Sequence, residues 1–276
     1  MVVGGLRRLI GRVALWLSVL IIVSPAVLVF LWMLSLAFKQ DVENLANPPI
    51  LISRQPTLDN FAEVFRRSPF GLYALNSFVV STSTTLISLA FGVPAAYGIA
   101  KSGANHFAFL ILISRMTPGL SYLIPWFILF RFVGLNNTLW ALIITHLVIG
   151  LPIVIWVMLG FFESQHPDLD DAALTDGCTL WQAFVHVAMP LARPGMIVAS
   201  VLSFIFSWNN FIFAVVLAGR DQRTLPVAVF NVLTFEQMAW GALAAAALLV
   251  TLPVLVITIV LQRYVVAGIS AGAVRG

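Results

Sequence analysis

Charge is what this chain has least of. Asp, Glu, Lys and Arg make up 9% of its 276 residues, against 61% hydrophobic, whereas a soluble globular domain is nearer a quarter charged. With a mean hydropathy of +1.01, most of the chain has lipid as its solvent. At roughly 20 residues per span there is room for about five to seven crossings and little room for a soluble domain. The single cysteine, Cys178, excludes an intrachain disulfide and leaves the redox compartment open. No G-x-x-x-x-G-K-[ST] phosphate loop occurs, so the chain hydrolyses no ATP by that route. No metal-ligand cluster, nucleophile triad or carboxylate pair stands out. A membrane enzyme would need a polar cluster at one interface, and there is none. No basic stripe interleaves with aromatics, so the net charge of +4 suits anionic lipid better than nucleic acid. The 11 acidic residues all lie outside the apolar runs, which counts against an ion-gradient-driven secondary transporter, whose proton or sodium coupling uses membrane carboxylates.

What remains is an all-α integral membrane pattern in one domain, 1–276. Six helices are predicted at 13–38, 71–100, 107–131, 139–162, 196–218 and 238–261. The first follows Arg7, Arg8 and Arg12 and is uncharged for 26 residues, about 39 Å of helix against a core of about 30 Å. That length exceeds the apolar region of a cleaved signal peptide, so a retained helix is expected. Between the first two runs, 57–67 reads as a short interfacial amphipathic helix with Phe61, Val64 and Phe65 on one face. With six spans both termini share a side. Arg115 lies inside a span, and the other 14 cations, Arg7, Arg8 and Arg12 included, then divide seven against seven. The three arginines before the first helix put the termini in the cytoplasm.

One long polar segment interrupts the later apolar runs: QHPDLDDAALTDGCTLWQAFVHVAMPLARPG, 165–195. Pro167 with Asp168, Asp170 and Asp171 starts a helix, because carboxylates favour the positive helix end. Ala172, Ala173 and Leu174 give a small, smooth face. Gly177 ends this helix as a C′ residue. Thr179 with Gln182 forms a capping box for a second helix, in which Trp181, Phe184, Val185 and Ala188 share a face. The segment is thus either an ordinary cytoplasmic loop or a bent, two-helix docking element.

Other polar residues carry two readings each. Ser77, Ser81, Thr84, Thr85 and Ser88 form a hydroxyl stripe that serves helix packing or lines a pore. Trp208, Asn209 and Asn210 combine an aromatic face with amides, suited to a polyhydroxylated solute or to interhelical hydrogen bonds. Arg115, costly at mid-span at about 2.5–3.5 kcal/mol, faces a substrate path, a partner subunit or the interface. His146 reads as a packed, hydrogen-bonded histidine.

The run D-A-A-x-x-D-G-C from Asp171, then Phe184, Val187 and P-L-x-x-P-G from Pro190, resembles the EAA motif of ATP-binding-cassette (ABC) importer permeases. Asp171 stands for the usual Glu, and Met189 for the Leu before the proline. SWNNFIFA at 207–214, the Pro118 and Pro125 pattern and the tail QRYVVAGISAGAVRG are similar to the carbohydrate branch, of the maltose-permease small subunit type. The resemblance covers essentially the whole chain. It implies a type I importer permease fold in a bacterial or archaeal inner membrane, with 165–190 as a cytoplasmic coupling loop. Asp171, Ala172, Ala173, Asp176, Gly177, Trp181, Phe184 and Pro190 would dock on a separate ATPase dimer, which holds ATP and Mg. No cofactor is expected on this chain. A second permease, in a heterodimer, and an extracytoplasmic solute-binding protein complete the expected partners. Gly272, Ala273 and Gly276 of the tail at 262–276 would also reach the ATPase, in an extended conformation suggested by the glycines.

Overall fold

Every regular element among the described residues is helical, as a lipid-embedded chain requires when its backbone groups must be satisfied within the segment. The computed structural model describes residues 2–166, 168–232 and 239–273, with side chains described except at 2–11, 13, 14, 105, 112, 115 and 262–273. In chain order the helices are α1 (Val2–Ala37), α2 (Asp41–Asn44), α3 (Asp59–Arg67), α4 (Phe70–Ser102), α5 (Asn105–Met116), α6 (Leu123–Phe132) and α7 (Leu139–Glu163). There follow α8 (Asp168–Thr175), α9 (Leu180–Ala183), α10 (Met189–Leu191), α11 (Arg193–Trp208), α12 (Ile212–Leu217), α13 (Leu225–Val232) and α14 (Trp240–Ala273).

Among the described residues, four helices are long and apolar enough to cross a membrane: Leu15–Ala37, Phe70–Ser102, Leu139–Glu163 and Trp240–Leu261. The bent pair Leu180–Leu191 and Arg193–Trp208, at 76°, makes a fifth if taken as one span. Two of the six predicted spans are interrupted. The stretch expected at 107–131 breaks between α5 and α6, where Thr117 is extended before Pro118 and a 3₁₀ turn follows at Gly119–Tyr122. A residue before proline is pushed out of the helical region, which accounts for the break. The stretch expected at 196–218 breaks between α11 and α12, at 209–211. The tail differs in the opposite sense. α14 continues through Gly268 and Gly272 to Ala273, because extending a formed helix adds a hydrogen bond per residue and outweighs the glycine penalty of about 1 kcal/mol each.

The chain divides into two compact units. One unit, Met1–Ser68 with Asn231–Leu249, contains α1 to α3 and the first turns of α14. The Asn60 amide donates to the carbonyls of Ala37 (2.9 Å) and Lys39 (2.7 Å), satisfying the orphan end of α1. Val64 is buried, Phe61 packs on Phe38 at 5.1 Å, and Phe65 remains exposed, so the predicted apolar face of α3 is only partly inward. Lys39 is buried with its ammonium over the Trp32 ring. Desolvation holds its pKa below the ordinary lysine value, with Glu43 opposing.

The other unit, Pro69–Phe230 with Val250–Gly276, is built on α4, α7 and α11. Gly92 meets Val154, a Cβ on Gly150 would lie 2.8 Å from Ser88 Oγ, and Tyr97 packs on Phe162, so α4 and α7 run parallel. His146 pairs with Ser207, Gly150 meets Ser203 and Gly195 meets Phe161, so α11 runs antiparallel to α7. All five hydroxyl residues of the predicted stripe are buried. In this chain they serve packing: small side chains let helices approach closely where lipid gives no hydrophobic drive for association. Ser77 Oγ in addition accepts the Leu225 N–H at 2.7 Å.

Candidate functional site

The segment between α7 and α11 is built from local stop and start signals. α7 ends at Glu163, and the Gln165 amide donates to the Ala188 carbonyl at 3.0 Å, tying the two ends of the segment together. α8 opens with Asp168, Asp170 and Asp171 in its first turn; Pro167 lies outside the described residues. It closes on Gly177 at φ +88°, whose N–H donates to Leu174 O (3.0 Å) while Cys178 N–H reaches Ala173 O (3.0 Å). Those two bonds define a Schellman turn. The predicted capping box is present: Gln182 N–H donates to Thr179 Oγ1 (3.3 Å), and Gln182 Oε1 accepts from Thr179 N–H (2.8 Å).

The predicted second helix is not regular. After α9, residues Phe184–Ala188 form a π turn in which Met189 N–H reaches the Phe184 carbonyl. Pro190 has no N–H to continue an α ladder, and insertion of a wider turn is one way such a ladder adjusts. α10 and α11 then carry the chain into the bundle. Gly195 makes that return possible: a Cβ there would sit 2.5 Å from the Phe161 ring.

The segment is anchored by aromatic packing and one ion pair. Phe184 is buried, 4.9 Å from Tyr97 of α4 and 6.4 Å from Phe162 of α7, and Tyr97 meets Phe162 edge-on at 5.4 Å. Edge and tilted ring pairs contribute about 0.5–1.5 kcal/mol each beyond their burial. Asp170 is buried and paired with Lys101 in the last turn of α4. A shallow apolar groove of about 400 Å³ lies where Trp181, Phe184 and Met189 face Leu86, Ala90 and Pro94.

The eight residues predicted to dock separate into two groups. Asp171, Ala172, Asp176, Gly177 and Trp181 are exposed, together with Leu169, Leu174 and Leu180. Ala173 and Phe184 are buried and Pro190 is half-buried, so these three hold the segment in place. Trp181 is 64% exposed although its ring reaches Phe184 at 5.2 Å. Large apolar side chains are thus exposed here beside carboxylates.

The path candidates are scattered. Trp208 is buried, stacks on Phe204 and donates its indole N–H to the Val250 carbonyl of α14 at 3.1 Å. It therefore makes an interhelical hydrogen bond. Asn210 Oδ1 accepts the Phe213 N–H at 3.3 Å and caps α12. Asn209 is exposed. Arg115 sits in the last turn of α5, and its side chain lies outside the described residues. His146 is buried with Nδ1 2.8 Å from Ser207 Oγ, the packed histidine that was expected. Gly272 and Ala273 fall within α14; the Ala273 side chain, and all of Gly276, lie outside the described residues. Lys101, Asp170, Tyr97 and Phe162 were not singled out as anchors from sequence. Only Asp170 gave a signal, as one carboxylate of an acidic helix start.

Residues 88–271 match the family described as binding-protein-dependent transport system inner membrane component. The chain is 36% identical over 249 residues to a probable ABC transporter permease protein, y4oR, of Sinorhizobium fredii, covering 89% of each. It is 35% identical over 262 residues to the trehalose transport system permease protein SugB of Mycobacterium tuberculosis, covering 93% of this chain and 95% of that one. Its fold is that of a chain in the crystal structure of a bacterial ABC transporter involved in the import of the acidic polysaccharide alginate, with a TM-score of 0.72 at 20% identity over 94% of this chain and 96% of that one. The chain thus belongs to the binding-protein-dependent transport system inner membrane components: it is a multi-pass ABC importer permease and not an enzyme.

Proposed function

We propose that this permease forms, with a second and different permease chain, the membrane path for a sugar or related polyhydroxylated solute. A separate ATPase dimer holds ATP and Mg and drives the cycle, and an extracytoplasmic binding protein delivers the solute. The exposed face of 165–190 faces the cytoplasm and docks on the ATPase. The observation that carries this reading is the segment itself. It is rigidly capped and bolted to α4 and α7 by Tyr97, Phe162 and Phe184, yet Leu174, Leu180 and Trp181 stay uncovered. A mere connecting loop has no reason to expose that surface. The three N-terminal arginines support cytoplasmic termini, and the kinship with a trehalose permease supports a sugar. Asn209 and Arg115 remain the path candidates within this reading, and the end of α14 at Gly272 and Ala273 a second ATPase contact.

The test is the complex purified through this chain from its own membranes and reconstituted in proteoliposomes. Gly177→Asp places a side chain at φ +88° in the exposed turn. Gly134→Asp imposes comparable strain at φ +74°, with equally open space, in the turn between α6 and α7. The expected outcome is ATP-dependent uptake of labelled disaccharide that Gly177→Asp lowers roughly tenfold, in the range of ordinary coupling energies, and Gly134→Asp leaves nearly intact. Equal effects of the two variants would remove the docking role of the segment. Uptake driven by an ion gradient, by this chain alone, would replace the reading with a secondary transporter.

A further inference from the structure

We infer that Asp170, Lys101 and Tyr97 form a joint that transmits movement of α8 into the membrane helix α4, with Asp170 as its positioning residue. The inference rests on the docking role of 165–190 and names how force leaves that segment. α8 presents Asp168 and Asp171 outward but turns Asp170 inward, where it is 6% exposed. A carboxylate is not buried without compensation. Here the compensation comes from Lys101, at the C-terminal end of α4, and from the N-terminal turn of α8 that carries Asp170. Each ion therefore faces its partner and also sits at the helix end that favours its sign.

Tyr97 lies one turn before Lys101, on the same face of α4. Its hydroxyl lies beside the Asp170 carboxylate. Both that hydroxyl and Asp170 Oδ1 are buried and unpartnered, while Oδ2 holds Lys101. Asp170 thus has one oxygen engaged and one free toward a waiting donor. A shift of α8 that brought the Tyr97 O–H onto Oδ1 would leave Lys101 on Oδ2. The Tyr97 ring is already wedged between Phe162 and Phe184. Force on the outer face of α8 accordingly arrives at α4 through a hydrogen-bonding group and not through the slack of a loop.

The experiment uses the purified complex. Asp170→Asn, the conservative Asp170→Glu, Tyr97→Phe, and the neutral pair Lys101→Gln with Asp170→Asn are compared. The readouts are co-purification of the ATPase subunits, uptake, and the ratio of substrate-stimulated to basal ATPase. The expected result is an assembled Asp170→Asn complex whose stimulation ratio falls about tenfold, a smaller fall for Tyr97→Phe, and near-normal stimulation in Asp170→Glu, which keeps a carboxylate for Lys101 and Tyr97. Wild-type stimulation in Asp170→Asn overturns the joint. So does an equal loss in an assembled Asp170→Glu complex, because the carboxylate's pairing would then not be what couples α8 to α4. Should Asp170→Asn fail to assemble, the neutral pair decides: an assembled but uncoupled pair supports the joint, and failure of both makes the contact a folding element only. If Gly177→Asp uncouples and Asp170→Asn does not, the joint alone fails. If neither uncouples, the docking role itself is lost.

Discussion

Two interruptions of apolar helix stand in contrast. At 176–179 the chain turns between α8 and α9; at 209–211 it breaks between α11 and α12. Both turns are made by local capping, Gly177 with Thr179 and Gln182 in one, Asn210 in the other. They differ in what is left over. Around the first turn the chain leaves carboxylates and Leu174, Leu180 and Trp181 exposed. At the second, Trp208 and Asn210 are taken up by internal hydrogen bonds; Asn209 stays outside, and the exposed Phe206 and Ile212 on either side have no carboxylate near them in sequence. A polar or aromatic residue inside an apolar chain therefore does not by itself mark a function. The mark is a side chain that the chain's own packing does not use.

The sharpest way to test this contrast is to loosen the anchor and leave the exposed surface intact. Phe184→Ala removes a buried ring that touches Tyr97, Phe162 and Trp181. A truncation of that kind costs about 3–5 kcal/mol when the site does not collapse. The expected outcome is a large fall in the thermal midpoint of the detergent-purified protein, together with uncoupled ATPase. A variant that keeps its midpoint would show that the segment is held by the ion pair and not by the rings.

The opposite turn predicts a smaller effect. Trp208→Phe keeps an aromatic ring against Phe204 and removes only the bond to Val250 O. Hydrogen bonds between membrane helices contribute about 0.6–2 kcal/mol. A modest loss of stability with normal uptake per assembled complex is expected. Reduced uptake at unchanged stability would place Trp208 on the solute path and erase the contrast.

The turns were legible because their causes are local. Gly177, Thr179 and Gln182 specify their bonds within a few residues, and the sequence located the bent element by them. The hydroxyl stripe was legible as a stripe, but whether it met helices or water depends on what packs against it. The break at 117–122 was missed: an unbroken helix was expected over 107–131, although the effect of Pro118 on Thr117 is also local. The anchors were not legible. Lys101 and Asp170 are 69 residues apart (170 − 101), and nothing local to either residue names the other. The tail shows the converse error, because local glycine preference was outweighed by continuation of a long helix.

The smallest effect separates two adjacent residues of the same type. Asn210→Ala removes the acceptor for the Phe213 N–H at the start of α12, a cap of about 0.5–2 kcal/mol, at the low end for a 3.3 Å bond. Asn209→Ala removes an exposed amide with no hydrogen bond to the described residues, so its stability effect stays within about 0.5 kcal/mol. If Asn209 meets the solute, its loss raises the KM for uptake while the thermal midpoint holds; Asn210→Ala does the reverse. Initial uptake rates across sugar concentration, paired with melting curves, read both at once. Equal KM for the two variants would leave this break without a solute contact, and the path would then lie with other residues of the permease pair.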